Sequence, residues 1–283
     1  MTGNDEQLTA DVTAAYTVLA GTWDTAGAQW NQPVGNRLVE FAGLAPHLRV
    51  LDVGCGAGAA TIPAARAVSP GGHVTAIDIA EPMLDRTEHA AQAAGLGNVA
   101  VQHADAAAPP FPARSFDAVL ASLVVYLLAD PAAALERWRE LVRPGGILAF
   151  SWVLGEDPLW EAVYAAVDSY LPAGRQGWNE FWHRPPCNSV EGVEAMLGGY
   201  ACVVTTPEPV TTRYTSPAHW WQSSWTQAPA LIWQHIPAGR RDAARDAAFA
   251  CLRPLAAADG TLERTRTVCY TTARAMPDCV RRD

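Results

Sequence analysis

Three glycines and three aspartates are the residues of this chain whose types and spacing could hold a ligand. Gly54, Gly56 and Gly58 follow a short apolar run, Arg49 to Val53, that reads as a buried parallel strand. Glycines after a strand permit positive φ and let the backbone approach a bound group closely. Gly54, Gly56 and Ala59 also satisfy the G-x-G-x-x-A turn of dinucleotide-binding folds. A tight strand-to-helix turn with no ligand would satisfy it equally. Asp52 sits two residues before Gly54, where a carboxylate can order the turn, and Asp105 lies in a later loop. Asp78 ends the next apolar run, where it can accept two charge-assisted hydrogen bonds from a ribose diol. Nicotinamide enzymes use a carboxylate in the same way, so Asp78 alone does not name the ligand. For proton transfer the candidates are Tyr126 and two histidines, His183 and His219, since imidazole titrates near neutral pH. For either histidine a surface role or a satisfied core role competes with catalysis.

These residues need a scaffold that brings separate loops to one edge. Apolar runs at 49–53, 73–77, 99–102, 117–121 and 147–152 alternate with helical patterns at 59–68, 81–94 and 131–141. That alternation predicts a parallel sheet covered by helices on both faces, with the ligand at the carboxyl ends of the strands. A helix over 7–24 and a second over 34–42 precede it, separated by a break at Gln29 to Pro33. Residues 154–200 are rich in aromatics, residues 200–206 and 264–273 look like β segments, and 216–258 carries two or three helices. No linker isolates a second domain. The expected organisation is one domain: N-terminal helices over 1–44, a binding core over 45–153, lid segments at 154–199 and 207–258, and a closing strand at 259–276.

Composition removes several function classes. The 283 residues are 49% hydrophobic and carry a net charge of −9, so no global basic field favours nucleic acid or an anionic membrane surface. The chain contains no lysine. Its first residues lack the basic-then-apolar layout of a signal peptide, and its longest apolar run, Ala118 to Ala129, is too short to span a bilayer. A cytoplasmic protein is expected. Six scattered cysteines form no C-x-x-C pair, so neither a metal site nor a disulfide framework is indicated.

Four ordered runs carry a family resemblance: VLDVGCGAG from Val50, VTAIDIAEPML from Val74, HADAAAPPFPARSFDAVLASLVVYLLADP from His103, and LVRPGGILAFSW from Leu141. Together they resemble class I S-adenosylmethionine-dependent methyltransferases, in the group similar to the small-molecule enzymes of ubiquinone and menaquinone biosynthesis. The resemblance implies an α/β, Rossmann-like seven-stranded sheet, mostly parallel with the last strand antiparallel, and helical lid insertions. It implies S-adenosyl-L-methionine as cofactor, with Asp52 attracting its ammonium end, Gly54, Gly56 and Gly58 beneath it, and Asp78 on the ribose. Asp105 and the Ala106 N–H would meet the adenine edge, and Ile79 and Met83 would flank the ring. Ser122 would lie near the methionine part, and Trp30, with Tyr16, would close over the cofactor, where an aromatic face suits a sulfonium. Tyr126 stands where relatives carry a group near the substrate.

The implied acceptor is a small aromatic or hydrophobic metabolite, methylated at O, N or C; Trp178, Trp182, Trp220, Trp221 and Trp225 are expected mostly to pack the lid and core, with some of them lining its pocket. Nucleic acid is not an expected partner, because Ala121-Ser122-Leu123-Val124 stands where DNA amino-methyltransferases carry a Pro-Pro run. A monomer or homodimer is expected. A cyclisation or rearrangement without methyl transfer would use the same cofactor residues. A nicotinamide-dependent oxidoreductase is disfavoured by the Asp105-Ala106 loop and by the lack of a Tyr-x-x-x-Lys pair.

Overall fold

In the computed structural model, which describes residues 3–23, 26–173, 185–227 and 229–276, the alternating pattern forms one seven-stranded sheet. Its strands are β1 (Arg49–Val53), β2 (His73–Asp78), β3 (Val99–His103), β4 (Phe116–Ser122), β5 (Val142–Glu156), β6 (Tyr200–Tyr214) and β7 (Leu262–Ala275). They lie in the order β3-β2-β1-β4-β5-β7-β6. β7 runs antiparallel to β5 and β6, and the remaining pairings are parallel. The expected sheet is therefore present. Strand order reverses between β1 and β4, and ligands of such sheets bind outside the carboxyl ends at that point.

Helices α1 (Gly3–Ala20) and α2 (Ala26–Ala42) precede the sheet, and α3 (Thr61–Ala67), α4 (Glu81–Ala93) and α5 (Pro131–Leu141) connect its parallel strands. The central strands are buried on both faces, which is why Val50, Leu51 and Val53, like Val119 and Leu120, read as continuous apolar runs. The expected break before residue 34 is absent: α2 runs through Pro33. An interior proline costs about 3 kcal/mol. Trp30, Val34, Leu38 and Val39 are all buried on this helix, and each such side chain contributes about 1.5–3 kcal/mol. Burial outweighs the lost hydrogen bond.

The closing pair is longer than its sequence suggests. β6 continues past residue 206 because Pro207 and Pro209 stand two apart on the outermost strand. Their missing N–H groups share one side, and on an edge strand that side needs no ladder partner. β6 and β7 stay paired from Tyr200–Ala275 to Tyr214–Leu262, past the end of β5 at Glu156.

Over this ribbon lie α6 (Pro158–Asp168), α7 (Val190–Ala195), α8 (Pro217–Ser224), α9 (Ala230–Trp233) and α10 (Arg241–Leu252). Trp160, Tyr164, Trp220 and Trp233 are buried among them, with ring centroids of Trp220 and Trp233 5.6 Å apart and of Tyr164 and Trp233 5.7 Å apart. Among the described residues no helix is long and apolar enough to cross a membrane, and no group of three His, Cys, Asp or Glu could hold a metal.

Candidate functional site

A cavity of about 510 Å³ opens along the carboxyl edge of the sheet. Its floor begins at the glycine turn. Gly54 and Gly56 have φ of 64° and 54°, and Cys55 N–H donates to the Ile77 carbonyl at 2.9 Å, tying the turn to β2. A Cβ at Gly54 would stand 2.6 Å from Val124 Cγ2, whereas one at Gly56 would meet nothing within 4 Å. The first glycine is required by packing, and the second leaves open room at the cavity wall.

Asp78, 8% exposed at the end of β2, fixes this turn. Its Oδ2 accepts from Gly56 N–H at 2.8 Å and its Oδ1 from Ala80 N–H at 2.9 Å. Burial raises its pKa, and these backbone hydrogen bonds oppose the rise. After β3, Asp105 Oδ1 accepts from Ala107 N–H at 2.8 Å, while the Ala106 carbonyl accepts from Trp138 Nε1 on α5 at 2.7 Å. Asp78, Ile79, Asp105 and Ala106 thus line one end of the cavity together.

The middle is formed where β4 ends. Leu123 adopts φ of 61°, rare for a branched residue. Its N–H donates to the Ser151 carbonyl and to Ser151 Oγ, both at 3.1 Å, which holds the turn. Ser122 also lines the cavity, but its hydroxyl lies 3.4 Å from Ser151 Oγ, at the long limit of a hydrogen bond. Tyr126 follows in a single 3₁₀ turn, Val125–Leu127, and faces the cavity with Tyr16, Trp23 and Trp30 from the N-terminal elements. Burial pushes the phenols of Tyr126 and Tyr16 well above their ordinary range.

Four of the expected site residues do not reach the cavity. Asp52 is fully buried beneath the glycine turn, where Thr61 Oγ1 donates to its Oδ2 at 2.5 Å and Oδ1 has no partner among the described residues. Burial, with the nearby charge of Asp78, raises its pKa to about 7 against the opposing Thr61 bond. A carboxylate that deep supports the turn rather than meeting a ligand. Gly58 faces Ile62 and Thr87 at the start of α3, and Met83 is buried beside Leu19, Ala80 and Ala230. His219 caps its own corner: its Nδ1 accepts from Thr215 N–H at 3.1 Å, and its ring stands 5.8 Å from that of Tyr214. His183, Trp178 and Trp182 lie outside the described residues.

The lid tryptophans take the packing part of their expected role. Trp220, Trp221 and Trp225 pack with Trp233 as an aromatic core and do not line the cavity. Trp30 lines it, but one face of its ring carries the Arg266 guanidinium, 3.1 Å from the centroid, rather than standing clear for a sulfonium. Arg264 and Arg266 on β7, with Gln227, were not foreseen and form the far end of the cavity. Their signal was available. Leu262, Arg264, Arg266 and Val268 alternate on one face of a strand whose apolar members are buried, so two charges stand where the period demands apolar residues.

A family model described as a methyltransferase domain matches residues 50–146. Nocamycin O-methyltransferase of Saccharothrix syringae is 34% identical over 273 residues, covering 92% of this chain and 96% of that protein. Aklanonic acid methyltransferase DauC of a Streptomyces species (strain C5) is 40% identical over 147 residues, covering 52% of this chain and 67% of that protein. In three dimensions the YcgJ protein of Bacillus subtilis shares the fold at a TM-score of 0.55 and 18% identity, over 86% of this chain and 98% of that one.

Proposed function

The chain belongs to the family of S-adenosylmethionine-dependent methyltransferases, and on that premise we propose that it methylates an oxygen of a small, largely apolar metabolite. The observation that carries this reading is the cavity whose one end joins the glycine turn, Asp78 and Asp105, and whose middle is apolar. The residues at that end fit S-adenosylmethionine. Asp78 is a nearly buried carboxylate already fixed by two N–H groups, and the open space at Gly56 adjoins it. Asp78 would hold the ribose hydroxyls, Asp105 and Ala106 the adenine edge with Ile79 beside it, and Gly54, Ser122 and Trp30 the methionine end. Asp52, Gly58 and Met83 would act from beneath, by shaping the turn and the start of α3.

When bound, the cofactor supplies a methyl group already activated on a sulfonium. What remains for the chain is to hold the acceptor oxygen in line and to exclude water. Leu123, Val124, Leu128 and Val153 give the cavity an apolar wall, and Tyr16, Trp23 and Trp30 close it from the N-terminal side. Such a wall suits an extended hydrophobic metabolite better than a sugar or a nucleotide. The names of the two relatives point to specialised metabolism as the source of the acceptor. Tyr126 would orient the acceptor as a hydrogen-bond donor, since its phenol stays protonated at neutral pH.

Calorimetric titration with S-adenosylhomocysteine, followed by incubation of the protein with S-adenosylmethionine carrying a deuterated methyl group and a small-molecule extract, tests this reading. Saturable binding and a metabolite gaining the label on oxygen are expected. Absence of binding would overturn the site, and label on nitrogen or carbon would overturn the acceptor atom.

A further inference from the structure

Gly56 stands in the glycine turn with open space where a side chain would be. A Cβ there would meet no atom within 4 Å, whereas one at Gly54 would strike Val124. Glycine has the widest choice of backbone conformation, and side-chain packing does not narrow that choice at Gly56. Hydrogen bonds do. Asp78 Oδ2 accepts from Gly56 N–H at 2.8 Å, and Thr87 Oγ1 on α4 donates to the Gly56 carbonyl at 2.7 Å. The two bonds hold the peptides on either side of the Gly56 Cα, so together they fix both of its backbone angles.

A hydroxyl inside a helix ordinarily turns back to the carbonyl four residues earlier. Thr13 and Thr17 do so in α1, donating to the Thr9 and Thr13 carbonyls at 2.7 and 2.8 Å, and Ser224 does so in α8, donating to Trp220 at 2.8 Å. Thr87 instead leaves its own helix and reaches a carbonyl 31 residues away. It is fully buried, and a Cβ on Gly58 would stand only 3.4 Å from its Oγ1, so it lies under the whole turn. Cys55 Sγ is 3.7 Å from the Gly56 carbonyl oxygen, but a thiol is a weak donor and does not replace the hydroxyl. The Gly56–Ala57 peptide is trans. A carbonyl drawn to Thr87 therefore turns the Ala57 N–H the opposite way, and Ala57 lines the cavity.

Resting on the methyltransferase reading of the site, we propose that Thr87 is a positioning residue for the cofactor. Buried beneath the turn, its hydroxyl acts through Gly56 and does not touch the ligand. With Asp78 it sets the Gly56 backbone in its binding shape before the ligand arrives, so that binding carries no cost of ordering the turn. Without the hydroxyl, Asp78 still holds the peptide before Gly56, but the Gly56–Ala57 peptide is free to rotate. The cofactor must then order it. The loss falls on the affinity of the folded protein, where a residue that only supports the fold would leave no mark.

The test titrates S-adenosylhomocysteine by calorimetry into the wild type and three variants, at a temperature where thermal melts show each to be folded. Thr87→Ser keeps the hydroxyl and should bind within twofold of the wild type. Thr87→Val keeps the shape but lacks the donor, and should bind about fivefold more weakly, the equilibrium effect of one neutral hydrogen bond. Thr87→Ala should match it, and carries the test if Thr87→Val fails to fold. Amide hydrogen exchange without ligand is the second readout: residues 54–58 should exchange faster in Thr87→Val and Thr87→Ala and as in the wild type in Thr87→Ser. Variants that melt earlier yet bind within twofold overturn the proposal, because the hydroxyl then serves stability alone. So does a Thr87→Ser that loses as much affinity as Thr87→Val, since the methyl group and not the hydroxyl would be what matters. Weaker binding with unchanged exchange at 54–58 overturns it too, because the loss would not pass through the turn. If Thr87→Ser folds and the other two do not, the hydroxyl serves the fold and the proposal falls. Failure of S-adenosylhomocysteine to bind the wild type is a different outcome and overturns the site reading itself.

Discussion

At the β2–β3 end of the cavity the polar groups are held by backbone, and at the β7 end they are held by rings. Asp78 and Asp105 receive N–H groups from Gly56, Ala80 and Ala107, all within a few residues of the ends of adjacent strands. Arg264 and Arg266 lie against Tyr164, Trp160 and Trp30, which come from α6 and α2, far away in sequence. A backbone cradle follows from strand order alone and tolerates change in the rest of the chain. An aromatic cradle exists only if the β6–β7 ribbon and the helices above it pack in one way. The two ends should therefore respond differently to mutation: the first through ligand affinity, the second through stability.

The largest effect is expected in the aromatic half. Trp220 is fully buried against Trp160, Tyr164 and Trp233, and truncation of such a residue costs about 3–5 kcal/mol. Trp220→Ala should lower the chemical denaturation free energy by that amount, measured with and without S-adenosylhomocysteine. If instead the variant is as stable as the wild type and loses only acceptor binding, Trp220 is pocket wall and the comparison breaks.

A pH dependence should come from beneath the cofactor end. Burial raises Asp52 to about 7 from an ordinary 3.8, so between these values the folded chain binds a proton that the unfolded chain has released. Stability must fall as pH rises across that window and level off above about pH 7. Asp78 is raised as well, so the wild-type profile alone does not isolate Asp52. Asp52→Asn keeps a partner for the Thr61 hydroxyl while removing the buried charge. At about 1.4 kcal/mol per pKa unit, the variant should gain on the order of 4 kcal/mol relative to wild type on going from pH 4 to pH 8. Parallel melting profiles for the two proteins would contradict the raised pKa.

Next in size is the ligand effect. Asp78→Ala removes the carboxylate proposed to hold the ribose and should weaken S-adenosylhomocysteine at least tenfold, about 1.4 kcal/mol, in calorimetry. Unchanged affinity would mean that Asp78 serves only to pin Gly56 and that the cofactor lies elsewhere in the cavity.

This difference between the halves also decides what the sequence makes legible. Asp78, Asp105 and the glycine turn can be placed because local alternation of strand and helix brings them to one edge, whatever the details of packing. Asp52 and Gly58 belong to the run that holds the glycine turn and Met83 to the run that holds Asp78, yet spacing cannot distinguish a residue that lines a cavity from one lying directly below it. The fate of the lid tryptophans depends on how α6, α8 and α9 meet, and no short-range pattern encodes that meeting. Pro207 and Pro209 hide the length of β6, because a proline pair reads as a break unless the strand is known to be an edge. Arg264 and Arg266 were visible as charges in an inward-facing register, but only once β7 was known to be buried on that side.

The smallest effect is expected between the two ends, at the close of β4, and it separates a side-chain role from a backbone one. Ser122 lines the cavity, yet its hydroxyl is 3.4 Å from its nearest recorded partner, so Ser122→Ala should change S-adenosylhomocysteine affinity by less than twofold. Ser151 does not line this cavity. It is fully buried and receives the Leu123 N–H through both its hydroxyl and its carbonyl oxygen. Leu123 needs that restraint, because a positive φ on a non-glycine residue costs on the order of 1–3 kcal/mol and persists only when its surroundings hold it. Removing one buried hydrogen bond should cost about 1 kcal/mol of stability. Ser151→Ala should therefore reduce S-adenosylhomocysteine affinity by severalfold as the turn relaxes. Adding Leu123→Gly, which removes the strain, should restore much of it. If Ser122→Ala proves the more damaging of the two, the serine hydroxyl itself meets the ligand, and the middle of the cavity works through side chains as the β7 end does.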